Sequence, residues 1–211
     1  MNYHIIPVTH LMQNCCIIWC KSTRESAIID PGGNAENIKQ KLLNIDLKPT
    51  KILITHGHWD HVSAAVELSK FYQIPILGPQ KFDEFLLKSS IQNNVCNSVK
   101  FLSFVPNYWL SHGEIIKIGL LNFEVIHCPG HTPGHVVFFY RKGRFLISGD
   151  VIFNNSIGRT DFPRSSHQDL LNSIEMKLFP LGDDITFIPG HGDISTLGFE
   201  KINNPYFKSN I

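Results

Sequence analysis

Residues 54–61 read ITHGHWDH, and this stretch decides the fold because it ends an apolar run with a cluster of metal-seeking side chains. Three histidines and one aspartate fall within six positions, at His56, His58, Asp60 and His61. Imidazole and carboxylate are ligands that divalent metals such as zinc select in proteins. A strand that runs into a glycine turn can aim alternate side chains at one point, so the stretch predicts a strand followed by a metal-binding loop.

Three later loops repeat this pattern of an apolar strand stopped by a histidine or aspartate beside glycine. They read PGHTPGH at 129–135, SGD at 148–150 and IPGHG at 188–192, and they supply His131, Asp150 and His191. A lone histidine is usually a surface residue whose hydrogen bonds are satisfied without a metal. We keep that interpretation for His4, His10, His112, His127 and His167. The four loops together favour one shared metal site.

The loops offer seven candidate ligands: His56, His58, Asp60, His61, His131, Asp150 and His191. A single catalytic zinc uses three protein ligands and an open position, so seven candidates indicate two divalent ions. Asp150 could bridge both ions through its carboxylate. Such a pair lowers the pKa of a water molecule toward neutral and presents hydroxide to an electrophile, which predicts hydrolysis. Zinc is the favoured metal, with iron and manganese as alternatives, because these ligands suit all three.

The rest of the chain reads as alternating strands and helices. The runs NCCIIW and SAIID predict a hairpin. The next run, NAENIKQKLLNIDL, predicts a helix with Asn34 as its N-cap. It is followed by a predicted strand in KILIT, a predicted helix in HVSAAVELSKFY and a predicted short strand in IPILGP. The stretch at 80–107 has no uniform pattern, although QKFDEFLLK within it predicts a helix. Four strands are predicted from Gly113 onward. They are followed by a serine-capped helix in SSHQDLLNSIEMKLFP and a last strand in DITFIPGHG. This order predicts α/β layers, two sheets covered by helices, in one domain over residues 1–211.

Composition limits the partners. The formal net charge of +1, from 19 Lys and Arg against 18 Asp and Glu, comes without any block of like charge, so we expect no nucleic acid partner. The apolar runs are too short to span a bilayer and the first residues do not resemble a secretion signal, so we expect no membrane partner and a cytoplasmic protein. The five cysteines form no C-x-x-C pair, and we expect buried free thiols. Small molecules remain as the expected partners.

The motifs THGHWDH, PGHTPGH, SGD and IPGHG, in this order and after IIDPGG at 28–33, resemble the metallo-β-lactamase superfamily. The C-terminal stretch from IGRTDFPRSSHQDLL to IPGHG resembles the short bacterial glyoxalase II-type hydrolases. The resemblance implies a four-layer αβ/βα sandwich of two mixed β-sheets flanked by helices, with the metals at one edge of the sheets. It also implies the ligand sets: His56, His58 and His131 for one metal, Asp60, His61 and His191 for the other, and Asp150 between them.

The chemistry implied by this resemblance is thioester hydrolysis. A metal-bridging hydroxide would cleave S-D-lactoylglutathione to D-lactate and glutathione, with Asp60 as the catalytic residue that orients it. Asp30 would hold the HGHWDH loop in place, although an ordinary turn role before Pro-Gly is equally open. The superfamily pattern does not use His135, which we expect to be packed and hydrogen-bonded, and Trp59 is expected to pack or to line the mouth of the site.

Two differences from the longer glyoxalase II-type enzymes leave the identity of the substrate undecided. The chain ends at Ile211 without the basic C-terminal region of the longer enzymes, and it has GRTDFPR where they carry a different loop. Glutathione would then be bound by Arg159, Arg164 or the C-terminal lysines, if it is bound, and a structural role for these arginines is an alternative. GRTDF also resembles the persulfide dioxygenases of the same superfamily, which use one iron, so that activity on glutathione persulfide is the second hypothesis.

Two other classes are less favoured. A binding module that has lost its chemistry would have no need for the complete ligand set. β-Lactam hydrolysis is disfavoured because no export signal is visible and Asp150 stands where many of those enzymes have a cysteine ligand.

Overall fold

The computed structural model of the protein describes residues 1–88 and 102–208. Its first sheet has five strands in the order β1-β2-β3-β4-β5. β1, β2 and β3 pair antiparallel, and β3, β4 and β5 pair parallel. The strands span Asn2–Val8 (β1), Gln13–Trp19 (β2), Ser26–Ile29 (β3), Pro49–Leu53 (β4) and Ile76–Leu77 (β5).

The second sheet has six strands in the order β13-β12-β9-β8-β7-β6. Only β9 and β12 pair parallel, so this sheet is mixed as well. Its strands span Ile115–Ile118 (β6), Leu121–His127 (β7), Val136–Tyr140 (β8), Phe145–Gly149 (β9), Thr186–Pro189 (β12) and Ser195–Thr196 (β13). A separate two-stranded ribbon is formed by Ile152–Phe153 (β10) and Ser156–Ile157 (β11).

Helices cover both outer faces. They span Ala35–Asn44 (α1), Trp59–Val62 (α2), Ala65–Tyr72 (α3), Glu84–Lys88 (α4), His167–Ser173 (α5) and Leu197–Asn203 (α6). Neighbouring strand residues belong to different apolar clusters, because successive side chains of a strand point to opposite faces. In β2, Ile17 packs with α1 and α3 and Ile18 packs between the sheets, and in β8, Phe138 packs between the sheets and Phe139 packs with α5. The four predicted layers are confirmed.

The predicted hairpin and the helix caps have mixed outcomes. β2 and β3 form the hairpin, and Ser166 caps α5 by accepting a hydrogen bond from the Asp169 amide at 3.2 Å. Asn34 is the N-cap residue of α1, as predicted, but its side chain makes no capping hydrogen bond and accepts from the Thr9 amide at 2.8 Å instead. The strand β1 and the helix α6 were not predicted. Residues 89–101 of the stretch at 80–107 lie outside the described residues.

The topology brings four strand ends to one edge. β7, β9 and β12 run in the same direction within the second sheet, because β8 is antiparallel to both β7 and β9 and β12 is parallel to β9. The loops that follow them contain His131, Asp150 and His191. The loop after β4 of the first sheet contains residues 55–61 and meets them at this edge. In the described residues, no helix is long and apolar enough to cross a membrane.

Candidate metal centre

All seven predicted ligand residues meet at this edge. The ligand atoms of His56, His58 and His131 lie within 4.8 Å of one another, and so do those of Asp60, His61 and His191. Asp150 stands between these two groups, which we call the first and the second triad. Its Oδ1 lies 3.3 Å from His61 Nε2, and its Oδ2 lies 3.5 Å from His131 Nε2 and 3.7 Å from His191 Nε2, so the carboxylate faces both triads.

Contacts outside the cluster fix the protonation of the imidazoles. His131 Nδ1 donates to the Arg159 carbonyl at 2.8 Å, and His191 Nδ1 donates to the Leu11 carbonyl at 3.1 Å. His61 Nδ1 donates to Asp30 Oδ2 at 3.0 Å. In the neutral, metal-binding form, each of these rings carries its one proton on Nδ1 and turns an unprotonated Nε2 toward the cluster. Against the effect of burial, the nearby carboxylates raise the pKa values of His61 and His191, and in these two rings a cation would take the place of the second proton.

His56 follows the same rule through a hydroxyl. Thr55 Oγ1 donates to Asp30 Oδ2 at 2.6 Å and can therefore accept from His56 Nδ1, which lies 3.0 Å away. The Nε2 of His56 then lies 3.1 Å from His58 Nδ1. With its imidazoles in the neutral form, the centre is lined by nitrogen lone pairs and carboxylate oxygens.

This donor set fits a cation. His61 Nε2 and Asp150 Oδ1 are buried and have no hydrogen-bond partner among the described residues. His58 Nδ1 faces the nitrogens of two other rings, 3.1 Å from His56 Nε2 and 2.9 Å from His131 Nε2, and one proton cannot satisfy all three. Buried groups of this kind are stabilised when they are paired or coordinate a metal. The residues therefore suit divalent ions.

The electrostatics of the first triad keep its histidines neutral. Burial and the nearby His61 lower the pKa of His56 well below 6.5. Burial and His131 lower the pKa of His58 to about 3, and burial also lowers the pKa of His131. Neutral imidazole is the form that binds metals, so this triad is ready for a cation at neutral pH.

Carboxylates dominate the second triad. Burial opposes the charged form of His61, but Asp150 and Asp60 outweigh it and raise the pKa of the ring. Burial likewise opposes the ionised form of Asp150, yet His61 and His131 hold the pKa of this carboxyl below its usual range. Both carboxylates in the centre are ionised at neutral pH, and they supply the negative charge that balances a bound cation.

The sequence comparison agrees with this geometry. The family model described as Metallo-beta-lactamase superfamily matches residues 8–191. The protein belongs to the metallo-β-lactamase superfamily. The resemblance and the fold class predicted from the sequence are therefore confirmed.

Individual superfamily members are similar along nearly the whole chain. Hydroxyacylglutathione hydrolase GloC of Haemophilus influenzae is 44% identical over 211 residues, which are 99% of this chain and 99% of that protein. The crystal structure of BLEG-1 B3 metallo-beta-lactamase has a TM-score of 0.91 and 32% identity, and the match covers 98% of this chain and 100% of that chain. TTHA1623 in a di-iron-bound form has a TM-score of 0.86 and 29% identity, with 96% of this chain and 99% of that chain covered.

Asp30 lies behind the candidate metal centre and holds two of its surrounding residues by hydrogen bonds. Its Oδ1 accepts from the Thr55 amide at 2.7 Å, and its Oδ2 accepts from Thr55 Oγ1 and His61 Nδ1. Both oxygens of Asp30 accept hydrogen bonds, and the bond from His61 Nδ1 orients the His61 ring; a carboxylate oxygen of Asp30 also lies within 4.8 Å of ligand atoms of His56 and His61. Its φ of 50° is also that of a turn residue, so both interpretations of Asp30 hold.

Asp83 has a role that the sequence did not reveal. This buried carboxylate joins two ligand-bearing loops, because it accepts from the Gly57 amide at 2.9 Å and from Thr132 Oγ1 and the Gly134 amide at 2.8 and 2.6 Å. Burial raises its pKa to about 6 although these three donors favour the ionised form. No local signal marks Asp83 within QKFDEFLLK, since its partners lie far away in the chain.

Two further histidines lie near the centre: His135 is buried beside it, and His10 lies at the adjacent cleft. His135 is packed and hydrogen-bonded as predicted: its Nε2 accepts from the Asp150 amide at 3.0 Å, and its ring stacks on His56 at 4.7 Å. His10 is exposed, as expected of a surface histidine, but it also lines the cleft beside the centre and stacks on Trp59 at 5.6 Å. Trp59 is buried and lines the same cleft, as predicted.

Proposed function

We propose that the protein is a binuclear metal-dependent thioester hydrolase that converts S-D-lactoylglutathione to D-lactate and glutathione. The observation that carries this proposal is the convergence of two triads of possible ligands on either side of Asp150, whose carboxylate lies near histidines of both. The similarity to a hydroxyacylglutathione hydrolase over 99% of both chains supports the choice of substrate. A small-molecule thioester is therefore the proposed partner.

In this proposal the ligand sets are those of the sequence analysis. The first triad, His56, His58 and His131, would hold one ion, the second triad, Asp60, His61 and His191, would hold the other, and Asp150 would contact both. Two divalent ions, with zinc favoured over iron and manganese, would supply hydroxide at neutral pH and stabilise the oxyanion that forms at the thioester carbonyl.

The side chains of the chain orient the reactants. Asp60 is buried, and its Oδ2 lies 3.1 Å from His191 Nε2, so the carboxylate is held at the mouth of the second triad. A water molecule that approaches the centre there can donate a proton to this acceptor, which turns the oxygen lone pair toward the substrate carbonyl. The hydrogen bonds on the outer nitrogens keep His61, His131 and His191 in place while the reaction proceeds.

The second triad argues against the main alternative. A persulfide dioxygenase with one iron would leave Asp60, His61 and His191 without an ion, although these residues converge as closely as those of the first triad. β-Lactam hydrolysis remains a third activity to measure, because BLEG-1 B3 metallo-beta-lactamase has the same fold at 32% identity.

The test measures the three activities on one preparation of purified protein. The thioester absorbance of S-D-lactoylglutathione is followed beside oxygen uptake with glutathione persulfide and hydrolysis of a chromogenic cephalosporin. We expect loss of the thioester and no oxygen uptake. Oxygen uptake by protein that contains one iron, or cephalosporin turnover that exceeds thioester turnover, would contradict the proposal.

We also propose that the enzyme works in the reducing cytoplasm. Cys15, Cys16, Cys20 and Cys128 are free and buried, which agrees with the expected role of the cysteines as small apolar groups. Cys96 lies outside the described residues.

A further inference from the structure

The cleft beside the metal centre has apolar walls. It encloses about 560 Å³, which is a typical size for a small-molecule site. Seven of its lining residues are large apolar or aromatic ones: Leu11, Trp59, Phe85, Leu86, Phe153, Phe162 and Pro163. A lactoyl group, which carries only a methyl group and a hydroxyl, would contact little of this apolar surface.

Aromatic rings flank both triads. The Phe162 ring lies 4.8 Å from the His58 ring and 5.6 Å from the His131 ring, and the Phe153 ring lies 6.2 Å from the His191 ring. A substrate whose carbonyl sits over the centre therefore has an aromatic side chain beside each triad. Groups attached to that carbonyl would lie within reach of these rings.

The two arginines of the GRTDFPR loop reinforce the apolar walls. Arg159 is held by both oxygens of Asp161, at 3.0 and 2.8 Å, and its guanidinium lies 4.6 Å from the Phe162 ring. Arg164 lies 4.3 Å from the Phe85 ring. Cations at this distance stack on the ring face, which holds the phenylalanines in place. In this arrangement the fork of Arg159 is paired with Asp161 and not directed at the metal centre's ligands.

We propose that the enzyme prefers thioesters whose acyl group is aromatic or bulky and apolar over the lactoyl thioester. This inference rests on the proposed thioester hydrolysis and specifies its substrate class. Phe85 and Phe162 both line the cleft, and an acyl phenyl ring placed against them would remove apolar surface from water that a methyl group does not have. Aromatic pairing with these side chains adds to the preference.

The experiment compares two substrates that differ only in this group. S-D-lactoylglutathione and S-D-mandeloylglutathione share the thiol and the 2-hydroxyl, and the methyl of the first is a phenyl in the second. We expect kcat/KM to be about tenfold or more higher for the mandeloyl substrate, the gain that burial of the additional ring surface predicts.

Two phenylalanines in one segment provide the matched variants. Phe85 lines the cleft and is half-buried, whereas Phe82, three positions earlier, is 62% exposed and lies outside it. Phe85→Ala should lower the ratio of the two kcat/KM values about fivefold, Phe85→Leu should lower it less, and Phe82→Ala should leave it unchanged. Because the ratio is taken within one preparation, incomplete folding or metal loading of a variant cancels.

The outcomes separate this inference from the function on which it rests. A ratio near or below one in the unsubstituted enzyme, or a ratio that Phe85→Ala does not change, overturns the acyl preference and leaves thioester hydrolysis standing. Failure to hydrolyse either thioester contradicts the proposed function and the acyl preference together.

Discussion

Single protons decide the chemistry of the cluster, because an imidazole binds a cation only through a nitrogen that carries none. His61, His131 and His191 each donate Nδ1 outward, to Asp30, to the Arg159 carbonyl and to the Leu11 carbonyl. The sequence predicted which side chains would meet, since each ends an apolar strand beside glycine. It could not predict their protonation, because two of the three outer partners are backbone carbonyls from distant loops.

Asp150 provides the most direct test at the residue scale. Asp150→Ala removes the carboxylate that faces both triads, so we expect turnover to be abolished and the metal content per chain to fall. Activity and elemental analysis measure these effects. His167→Ala is the control, because His167 is exposed and outside both triads, and it should change neither quantity. Similar losses in the two variants would show that the ligand assignment is wrong.

Asp30 allows its positioning role to be separated from its turn role. Asp30→Asn keeps a side chain that tolerates positive φ but replaces an acceptor oxygen by an NH₂ group, which disturbs the hydrogen bond to His61 Nδ1. We expect metal affinity to fall by about 10- to 100-fold. Asp46→Asn is the matched control, because Asp46 has a φ of 51° and is exposed. Equal metal affinity in both variants, measured by competition with a chelator, would reduce Asp30 to a turn residue.

At the scale of elements, Asp83 connects the loop after β4 to the loop between β7 and β8. Strong local patterns made β4, β7, β8 and β9 predictable, because each is an apolar run that ends at a turn residue. β1 was missed because Val8 is its only fully buried residue, so its pattern is weak. The Asp83 connection was also beyond sequence reasoning, since it depends on the amides of Gly57 and Gly134, which carry no side-chain signal.

Replacement of Asp83 should loosen both loops. Asp83→Ala removes the carboxylate that accepts from the Gly57 and Gly134 amides and from Thr132 Oγ1, which predicts a loss of about 2–4 kcal/mol in the free energy of unfolding. Asp83→Asn keeps one acceptor oxygen and should lose about half as much. Urea denaturation measures both values. If Asp83→Ala is as stable as the exposed control Asp46→Ala, the connection does not hold the loops.

Asp83 also predicts a pH dependence of stability. Its pKa in the folded protein is about 6, above the ordinary value of 3.8, so protonation favours the folded state. That stabilisation is fully present below pH 3.8 and is lost as the pH rises through about 6. Relative to Asp83→Asn, the unsubstituted protein should lose about 1–3 kcal/mol over this window, measured by urea denaturation in the presence of a chelator. A constant difference between the two proteins would contradict the raised pKa.

At the scale of the whole molecule, two mixed sheets place four loops from distant parts of the chain at one edge. The motif order predicted this convergence, and the confirmed superfamily fold explains it, because β7, β9 and β12 share a direction. The character of the cleft could not be predicted in the same way. Its walls come from side chains such as Phe85, Phe153 and Phe162, which look like ordinary core residues in the sequence.

The central claim is that the two triads hold two ions in one chain. Protein stripped with a chelator and titrated with zinc can be weighed by native mass spectrometry, which counts bound ions directly. We predict a species with two zinc ions per chain, formed through a one-ion species, and only the one-ion species in His191→Ala at the same zinc concentration. A limit of one ion in the unsubstituted protein, or two ions in His191→Ala as readily as without the substitution, would contradict the two-ion centre.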